Sequence, residues 1–82
     1  MKESEIPFRL SADGDCVHIV AELPGIGEEK IRLDLEDNTL IISAIEKECR
    51  YKKSIALPWK ARLGTKRFRQ GVLELTLERS GR

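Results

Sequence analysis

Apolar residues recur at every second position in short segments along the chain, and turn residues bound each segment. In the clearest case, Ile31, Leu33 and Leu35 alternate with charged residues. A helix over the same residues would leave Leu33 outside its apolar stripe, so a strand fits better. Seven such segments, with turns about every 8–12 residues and no long helix, predict an all-β, two-sheet antiparallel sandwich. The predicted strands are 6–11, 16–23, 30–36, 39–45, 50–57, 65–70 and 71–77.

The connections between these segments carry residues that favour reversals. Asp13-Gly14-Asp15 has the composition of a tight turn and predicts a hairpin between the first two strands. Leu23-Pro24-Gly25 ends the second strand, because proline removes a backbone donor and glycine permits a positive φ. Residues 27–30 are expected to form a short helical turn, and residues 59–64 a linker.

The size of the chain indicates one domain. Its 82 residues include 23 Leu, Ile, Val and Phe residues, which is enough for a packed core. We expect a single domain over 1–82, with its core between about residues 6 and 77 and a frayed tail at 78–82. A core of this size stabilises the fold by only a few kcal/mol, so an unpaired sheet edge has a noticeable effect on the stability.

Several classes of site and location lack support in the sequence. No apolar run approaches the roughly 20 residues of a membrane span, and the acidic opening does not resemble a signal peptide, so we expect a cytoplasmic protein. Cys16 and Cys49 are 33 positions apart and are expected to be free thiols that hold no metal. His18 is the only histidine and is predicted to lie on an outer face. We therefore expect no enzyme activity and no cofactor.

The net charge of +1 conceals an uneven distribution. Residues 1–49 carry 5 basic and 12 acidic side chains, whereas residues 50–82 carry 10 basic and 2 acidic ones. Such a division is typical of a nucleic-acid surface, or of two halves of one fold that neutralise each other.

Four motifs, in order, resemble the small heat-shock proteins and their α-crystallin domain. The Gly-Val-Leu of the last motif is the most recognisable part of the family's signature. The motifs are residues 20–25 (VAELPG) followed by Ile31, residues 37–44 (DNTLIISA), residues 55–58 (IALP) and residues 68–77 (FRQGVLELTL).

The resemblance implies an immunoglobulin-like sandwich of the α-crystallin type. One sheet would hold the segments 6–11, 16–23, 65–70 and 71–77, and the other would hold the remaining three. Family members hold partly unfolded polypeptides without ATP, and they dock apolar tail motifs in a groove between two sheet edges. Here that groove would be lined by Leu33, Leu35 and Phe68, although these residues are also compatible with an ordinary core.

This chain departs from the family pattern in three ways. Lys66 and Gln70 replace the usual alanine and asparagine of the last motif, and the lysine changes the chemistry expected of the groove. The connection 45–50 is too short for the extra strand that many members swap between subunits. We also expect no large cage, because the long N-terminal arm and the C-terminal Ile-x-Ile motif are missing from the sequence.

Without a swapped strand, segment 50–57 is predicted to be a free sheet edge. Arg50, Lys52 and Lys53 are interpreted first as charged guards that keep this edge from indiscriminate pairing, and the alternative is a homodimer edge marked by Arg50, Lys52 and Ser54. Separately, Ile41, Ile45 and Val20 lie on the outer faces of their strands and predict exposed apolar surface.

The basic residues of the second half form the best case for nucleic acid. They lie close to two aromatic rings, an arrangement that suits single strands, but Phe68 belongs to the motif and is predicted to point inward. Nearby acidic residues would also weaken the field, so we do not expect nucleic-acid binding. The cluster consists of Lys60, Arg62, Lys66, Arg67 and Arg69, with Trp59 and Phe68 beside it.

The sequence supports two functional hypotheses. The first is an ATP-independent holdase of the small heat-shock type that binds unfolded or partly folded proteins, as a monomer or homodimer. The alternative is an adaptor or co-chaperone module that docks on a larger chaperone or ATPase, since truncated domains of this shape also resemble CS-domain co-chaperones and the sandwich domains attached to arsenite-pump-like ATPases. Suppression of client aggregation distinguishes the two.

Overall fold

The chain folds into eight strands, which form two sheets packed face to face. The structure is a computed structural model that describes residues 2–81. One 3₁₀ turn, Glu28–Lys30, confirms the predicted helical turn. The strands are β1 (Lys2–Ser4), β2 (Phe8–Asp13), β3 (Cys16–Glu22), β4 (Ile31–Glu36), β5 (Thr39–Glu46), β6 (Cys49–Ala56), β7 (Ala61–Arg69) and β8 (Val72–Arg79).

The strand order confirms the predicted division into two sheets. Sheet A has the order β1-β6-β5-β4, and sheet B has the order β2-β3-β8-β7. Neighbouring strands are antiparallel in both sheets, except that β1 runs parallel to β6. The predicted two-sheet sandwich is therefore confirmed, and it carries one strand more than the seven expected.

The core lies between the sheets, at the positions that the alternation marks. On β3 and β8 every second side chain is buried, with at most 2% of its surface exposed. Removing so much apolar area from water is the main stabilising term of a domain of this size. These buried side chains are Val17, Ile19, Ala21, Leu73, Leu75 and Leu77.

A close backbone contact joins the proline motif to the glycine of the last motif. The Leu23 N–H donates a hydrogen bond to the Gly71 carbonyl at 2.7 Å. Gln70 and Gly71 both have positive φ angles, 50° and 79°, as a type I′ turn requires. A Cβ at Gly71 would lie only 3.0 Å from the Cα of Pro24. Two of the recognised motifs thus meet at one end of the sandwich.

The N-terminal strand β1 was not predicted, and it changes the edge of sheet A. Lys2, Glu3 and Ser4 pair in parallel with residues 49–51 of β6. The prediction of a free edge over 50–57 is therefore wrong at its start, since Arg50 faces a strand of its own chain. The rest of the edge, from Lys52 to Ala56, has no paired strand among the described residues.

The last hairpin extends further than predicted at its open end. β7 begins at Ala61, within the predicted linker 59–64, and a register shift lies between Leu63 and Thr65. β8 continues to Arg79, and the Ser80 N–H donates to the Lys60 carbonyl at 2.7 Å. The prediction of a frayed tail is therefore wrong for residues 78–80. Residues 1 and 82 of the predicted domain lie outside the described residues.

Two features are absent from residues 2–81. No helix there is long and apolar enough to cross a membrane. No group of three or more His, Cys, Asp and Glu side chains lies close enough to hold a metal ion.

Candidate functional site

The edge strands β4 and β7 meet along one side of the sandwich. β4 is the last strand of sheet A, β7 is the last strand of sheet B, and the two are in contact. The predicted groove residues Leu33, Leu35 and Phe68 all lie on these strands, partly buried and packed against the core. The structure thus brings them together on one side of the molecule, which we call the β4/β7 edge.

The register of β7 shows which side chains face the opposite sheet. Leu63 pairs with Leu77 and Phe68 pairs with Leu73, and both partners point into the core. Paired residues share a face, so Leu63 and Phe68 point toward sheet A. Leu63 is 45% exposed and points toward sheet A, so it is an additional apolar residue of the edge. The sequence did not predict it.

Lys66 also faces the β4/β7 edge. It pairs with the buried Leu75, so its stem starts on the same face as the two apolar side chains around it. The side chain is exposed, and no carboxylate among residues 2–81 lies within 4.0 Å of its amine. The lysine that was expected to change the chemistry of the groove thus lies along β7 between two apolar residues, Leu63 and Phe68.

A bulge at Gly64 produces this arrangement. The extra residue shifts the register between Leu63 and Thr65, so the alternation changes phase there. A Cβ at Gly64 would lie 3.0 Å from the Thr76 carbonyl oxygen, which favours glycine at this position. The glycine therefore allows the bulge, and the bulge turns Lys66 toward the edge.

The outer backbone of β4 and β7 is open to pairing. Neither strand has a neighbour on its outer side among the described residues. Unpaired N–H and C=O groups of this kind accept an added strand, and half-buried apolar side chains beside them provide the contacts for alternate residues of that strand. The geometry of the edge is therefore compatible with the addition of an extended strand.

The candidate dimer edge on β6 is partly occupied by β1. Glu3 pairs with Arg50 across the strands, and their side chains form an ion pair at 3.5 Å. Lys52 and Ser54 follow on the unpaired part of β6 and are exposed. The cations are compatible with a guarded edge, and a homodimer along this strand stays a prediction.

One lysine of β6 points inward and contacts the segment between β1 and β2 together with the start of β2. Lys53 pairs with the buried Ile42, so it faces sheet B. Its amine lies 3.2 Å from Glu5 Oε1 and 5.6 Å from the centre of the Phe8 ring. A cation over an aromatic face is attracted by the ring quadrupole, so Lys53 holds both segments.

Both cysteines are free, and they lie at different ends of the sandwich. Cys16 starts β3, whereas Cys49 starts β6 near Gly25, which follows the other end of β3. The Cys49 Sγ lies 3.3 Å from the Ser4 Oγ, and hydrogen bonds from Ser4 and then Tyr51 lower the pKa of the Cys49 thiol. The same interaction with Cys49 raises the pKa of Tyr51.

The basic cluster of the second half does not form one surface. Arg62 pairs with Glu78 at 3.1 Å, and Arg67 stands opposite Glu74 across the hairpin. Lys66 and Phe68, in contrast, point to the other face of the sheet. The ring that would stack on a base is therefore turned away from the arginines, and this separation weighs against a single-strand site.

The outward-facing positions agree with the alternation. His18 is exposed on the outer face of sheet B, with its Nδ1 3.5 Å from the Thr76 Oγ1. Val20 is 39% exposed and Ile45 is 49% exposed, while Ile41 is half-buried. The predicted exposed apolar surface is therefore confirmed at Val20 and Ile45 and in part at Ile41.

Comparison with known proteins gives matches among solved structures. No family model and no curated protein sequence matches the chain. Heat shock protein 16.0 from Schizosaccharomyces pombe superposes with a TM-score of 0.82 and 21% identity, over 98% of this chain and 70% of that one. The A102D mutant of hsp14.1 from Sulfolobus solfataricus P2 gives 0.78 and 26% identity, over 94% and 73%.

A bacterial structure gives the same result. The small heat shock protein AgsA from Salmonella typhimurium superposes with a TM-score of 0.75 and 17% identity, over 92% of this chain and 87% of that one. These matches, from a fungus, an archaeon and a bacterium, share the two-sheet body described above. The chain therefore has the α-crystallin-domain fold, and it resembles the small heat shock proteins over nearly its whole length.

Proposed function

We propose that the protein is a small heat-shock-type chaperone that holds partly unfolded polypeptides at the β4/β7 edge, without ATP and without catalysing a reaction. The observation that supports this proposal is the row of half-buried and exposed apolar side chains along two edge strands whose outer backbone is unpaired among the described residues. The row consists of Leu33, Leu35, Leu63 and Phe68.

The energetics of this edge suit weak and reversible holding. An extended client segment would gain backbone hydrogen bonds from one strand and would cover the apolar side chains of both. It would also pay for the ordering of its own chain, which limits the net affinity. A partly unfolded protein offers many such segments, so weak binding at each is sufficient to delay aggregation.

A cytoplasmic location is part of the proposal. Cys16 and Cys49 are free thiols in this fold. Free cysteines are typical of proteins from reducing compartments, and this observation supports the location.

An aggregation assay with a heated client enzyme tests the proposal. The full chain at equimolar and tenfold ratios should slow the rise of light scattering. Leu63→Ser should weaken this effect, because it removes the most exposed apolar contact of the edge. Val20→Ser is the matched control, since Val20 is similarly exposed, at 39% against 45%, but lies on the outer face of sheet B.

Two results would contradict the proposal. The first is a wild-type chain that leaves aggregation unchanged at the tenfold ratio. The second is an equal loss of protection in both variants, which would assign the effect to general hydrophobicity and not to the edge. Thermal unfolding of each variant, followed by circular dichroism, confirms that the compared proteins are folded.

One observation favours the adaptor alternative. β1 covers the start of the β6 edge, which leaves less edge for a homodimer and supports a monomeric module. A chain that fails in the aggregation assay but forms a one-to-one complex with a purified chaperone or arsenite-pump-like ATPase would establish the alternative.

A further inference from the structure

The outer face of sheet A carries a shallow basin that the β4/β7 edge does not use. Its floor is formed by outward-facing residues of the central strand β5, namely Ile41, Ser43 and Ile45. Ile45 is 49% exposed and Ile41 is half-buried, so an apolar stripe runs along the strand. The sheet has no layer covering this face among residues 2–81.

Cations border the basin on both sides of the stripe. Lys30 and Arg32 lie on the β4 side, and Arg50 and Lys52 lie on the β6 side. Asp34 is the one acidic side chain that lines the basin within the described part of the chain. The basin is therefore an apolar strip bordered by four cations, three of which have a carboxylate partner.

Three of the four cations have carboxylate neighbours, of which Glu46 is half-buried and the other two have more exposed side chains. Lys30 lies 3.6 Å from Glu46, and Arg32 and Arg50 have comparable partners. Surface ion pairs of this kind are weak, so a ligand can replace them at little cost. Lys52 has no carboxylate within 4.0 Å among residues 2–81, so its charge is available to a ligand.

We propose that this basin docks an acidic amphipathic helix of a partner protein. Arg32 on β4 faces Arg50 and Lys52 on β6 across the central strand β5, so the two borders are roughly 10 Å apart, close to the diameter of a helix. Ile41 and Ile45 are four residues apart on a strand, a spacing of about 13 Å. Apolar residues seven or eight positions apart on a helix lie at about 10–12 Å and would contact both.

Charge complementarity selects this occupant over others. A helix with carboxylates on either side of its apolar stripe would place them against the cations of β4 and β6. An added strand has no place here, because β5 is already paired on both sides. Nucleic acid would satisfy the cations but would leave the isoleucine strip against a polar backbone.

A designed peptide tests the proposal without a known partner. The probe is a fluorescein-labelled helix of about 16 residues, with leucines along one stripe and glutamates on both sides of it. The control peptide has lysine in place of each glutamate. Fluorescence anisotropy with the full chain should show saturable binding of the probe. The affinity should fall severalfold between 50 and 300 mM salt, because salt screens exposed charges over this range and the screening length is already about 8 Å at 0.15 M.

Variants assign the binding to the basin. Lys52→Glu and Ile45→Ser should each weaken probe binding about fivefold, because one reverses a border charge and the other removes exposed apolar area. Lys66→Glu makes the same charge change at the β4/β7 edge and should change binding less than twofold. This control separates the basin from the proposed chaperone edge, so either proposal can fail alone.

Other results would overturn the inference. They are a probe that does not bind at 1 mM protein, a lysine peptide that binds equally well, or a Lys66→Glu variant that weakens binding as much as Lys52→Glu. Dimerisation of the chain through this face, lost in Ile45→Ser, would assign the basin to a second copy and would also refute it. Amide chemical shifts of the wild-type chain with the probe locate the site without any variant, and shifts outside β4, β5 and β6 would contradict it.

Discussion

The contact between Gly71 and Pro24 gives the sharpest prediction about the fold. Gly71 has φ 79°, and an alanine in this left-handed region costs about 1–2 kcal/mol. The new Cβ would also lie 3.0 Å from the Pro24 Cα, so one backbone segment must move. Overpacking of this kind costs about 1–3 kcal/mol, while the stiffer unfolded chain returns about 0.4–1 kcal/mol. We expect Gly71→Ala to lower the free energy of unfolding by about 2–4 kcal/mol.

A second glycine separates the two contributions. Gly14 has φ 62°, but a Cβ there would meet nothing within 4 Å. Gly14→Ala should therefore show only the backbone cost, about 1 kcal/mol or less. Urea unfolding measures both losses, with the single tryptophan, the half-buried Trp59, as the fluorescence probe. Equal losses within about 0.5 kcal/mol would refute the close approach of Gly71 to the proline turn.

Three further predictions concern the core, the inward lysine and the thiol. Leu75→Ala should lower the free energy of unfolding by about 2–5 kcal/mol in the same urea experiment, and a loss below 1 kcal/mol would contradict its burial. Lys53→Ala should lower the free energy of unfolding by about 1 kcal/mol, because it loses the contacts of Lys53 with the Phe8 ring and the Glu5 carboxylate. Lys52→Ala loses neither contact and should lower it by less than about 0.5 kcal/mol. Equal losses would be inconsistent with the inward orientation of Lys53. The lowered pKa of Cys49 means that its thiolate forms at lower pH than in an ordinary thiol, so the pH midpoint of its alkylation should lie lower too. Ser4→Ala should move that midpoint upward, as mass spectrometry of the alkylated peptide would show, and an unchanged midpoint would argue against the docking of β1.

The alternation of apolar and polar residues predicts the strands well where one face of the strand is buried and the other is exposed to solvent. β4 is the clearest example, since its inward Leu33 packs against the core and its outward Arg32 is exposed. Alternation alone did not assign the strands to sheets. That assignment came from the order of the motifs, and the strand pairing confirms it.

The strand β1 has no such pattern. Its sequence, Lys2-Glu3-Ser4, contains no apolar residue, and its pairing depends on backbone hydrogen bonds and on contacts such as the ion pair between Glu3 and Arg50. Backbone pairing leaves no periodic trace in a sequence. The partial closure of the β6 edge was therefore visible only in three dimensions.

The chemistry of the β4/β7 edge was predictable only in part. Leu33, Leu35 and Phe68 came from the resemblance, and the structure places them on the edge strands β4 and β7, partly buried against the core; their role as a peptide groove stays a prediction. Lys66 was expected to change the chemistry of the groove, whereas Leu63 was missed because it fell in the predicted linker 59–64, just before the bulge at Gly64. An isolated glycine in a strand is a known sign of a bulge, and it was the one signal available at this position.

The most direct test of the account is to locate a bound client on the chain. A reduced and alkylated, permanently unfolded protein can be titrated into the ¹⁵N-labelled full chain while amide chemical shifts are followed. We predict that the largest changes fall on β4 and β7, around Leu33, Leu63 and Phe68, and that they weaken in Leu63→Ser but not in Val20→Ser. Unchanged shifts at saturating client, or shifts confined to the other strands, would contradict a chaperone edge at this place.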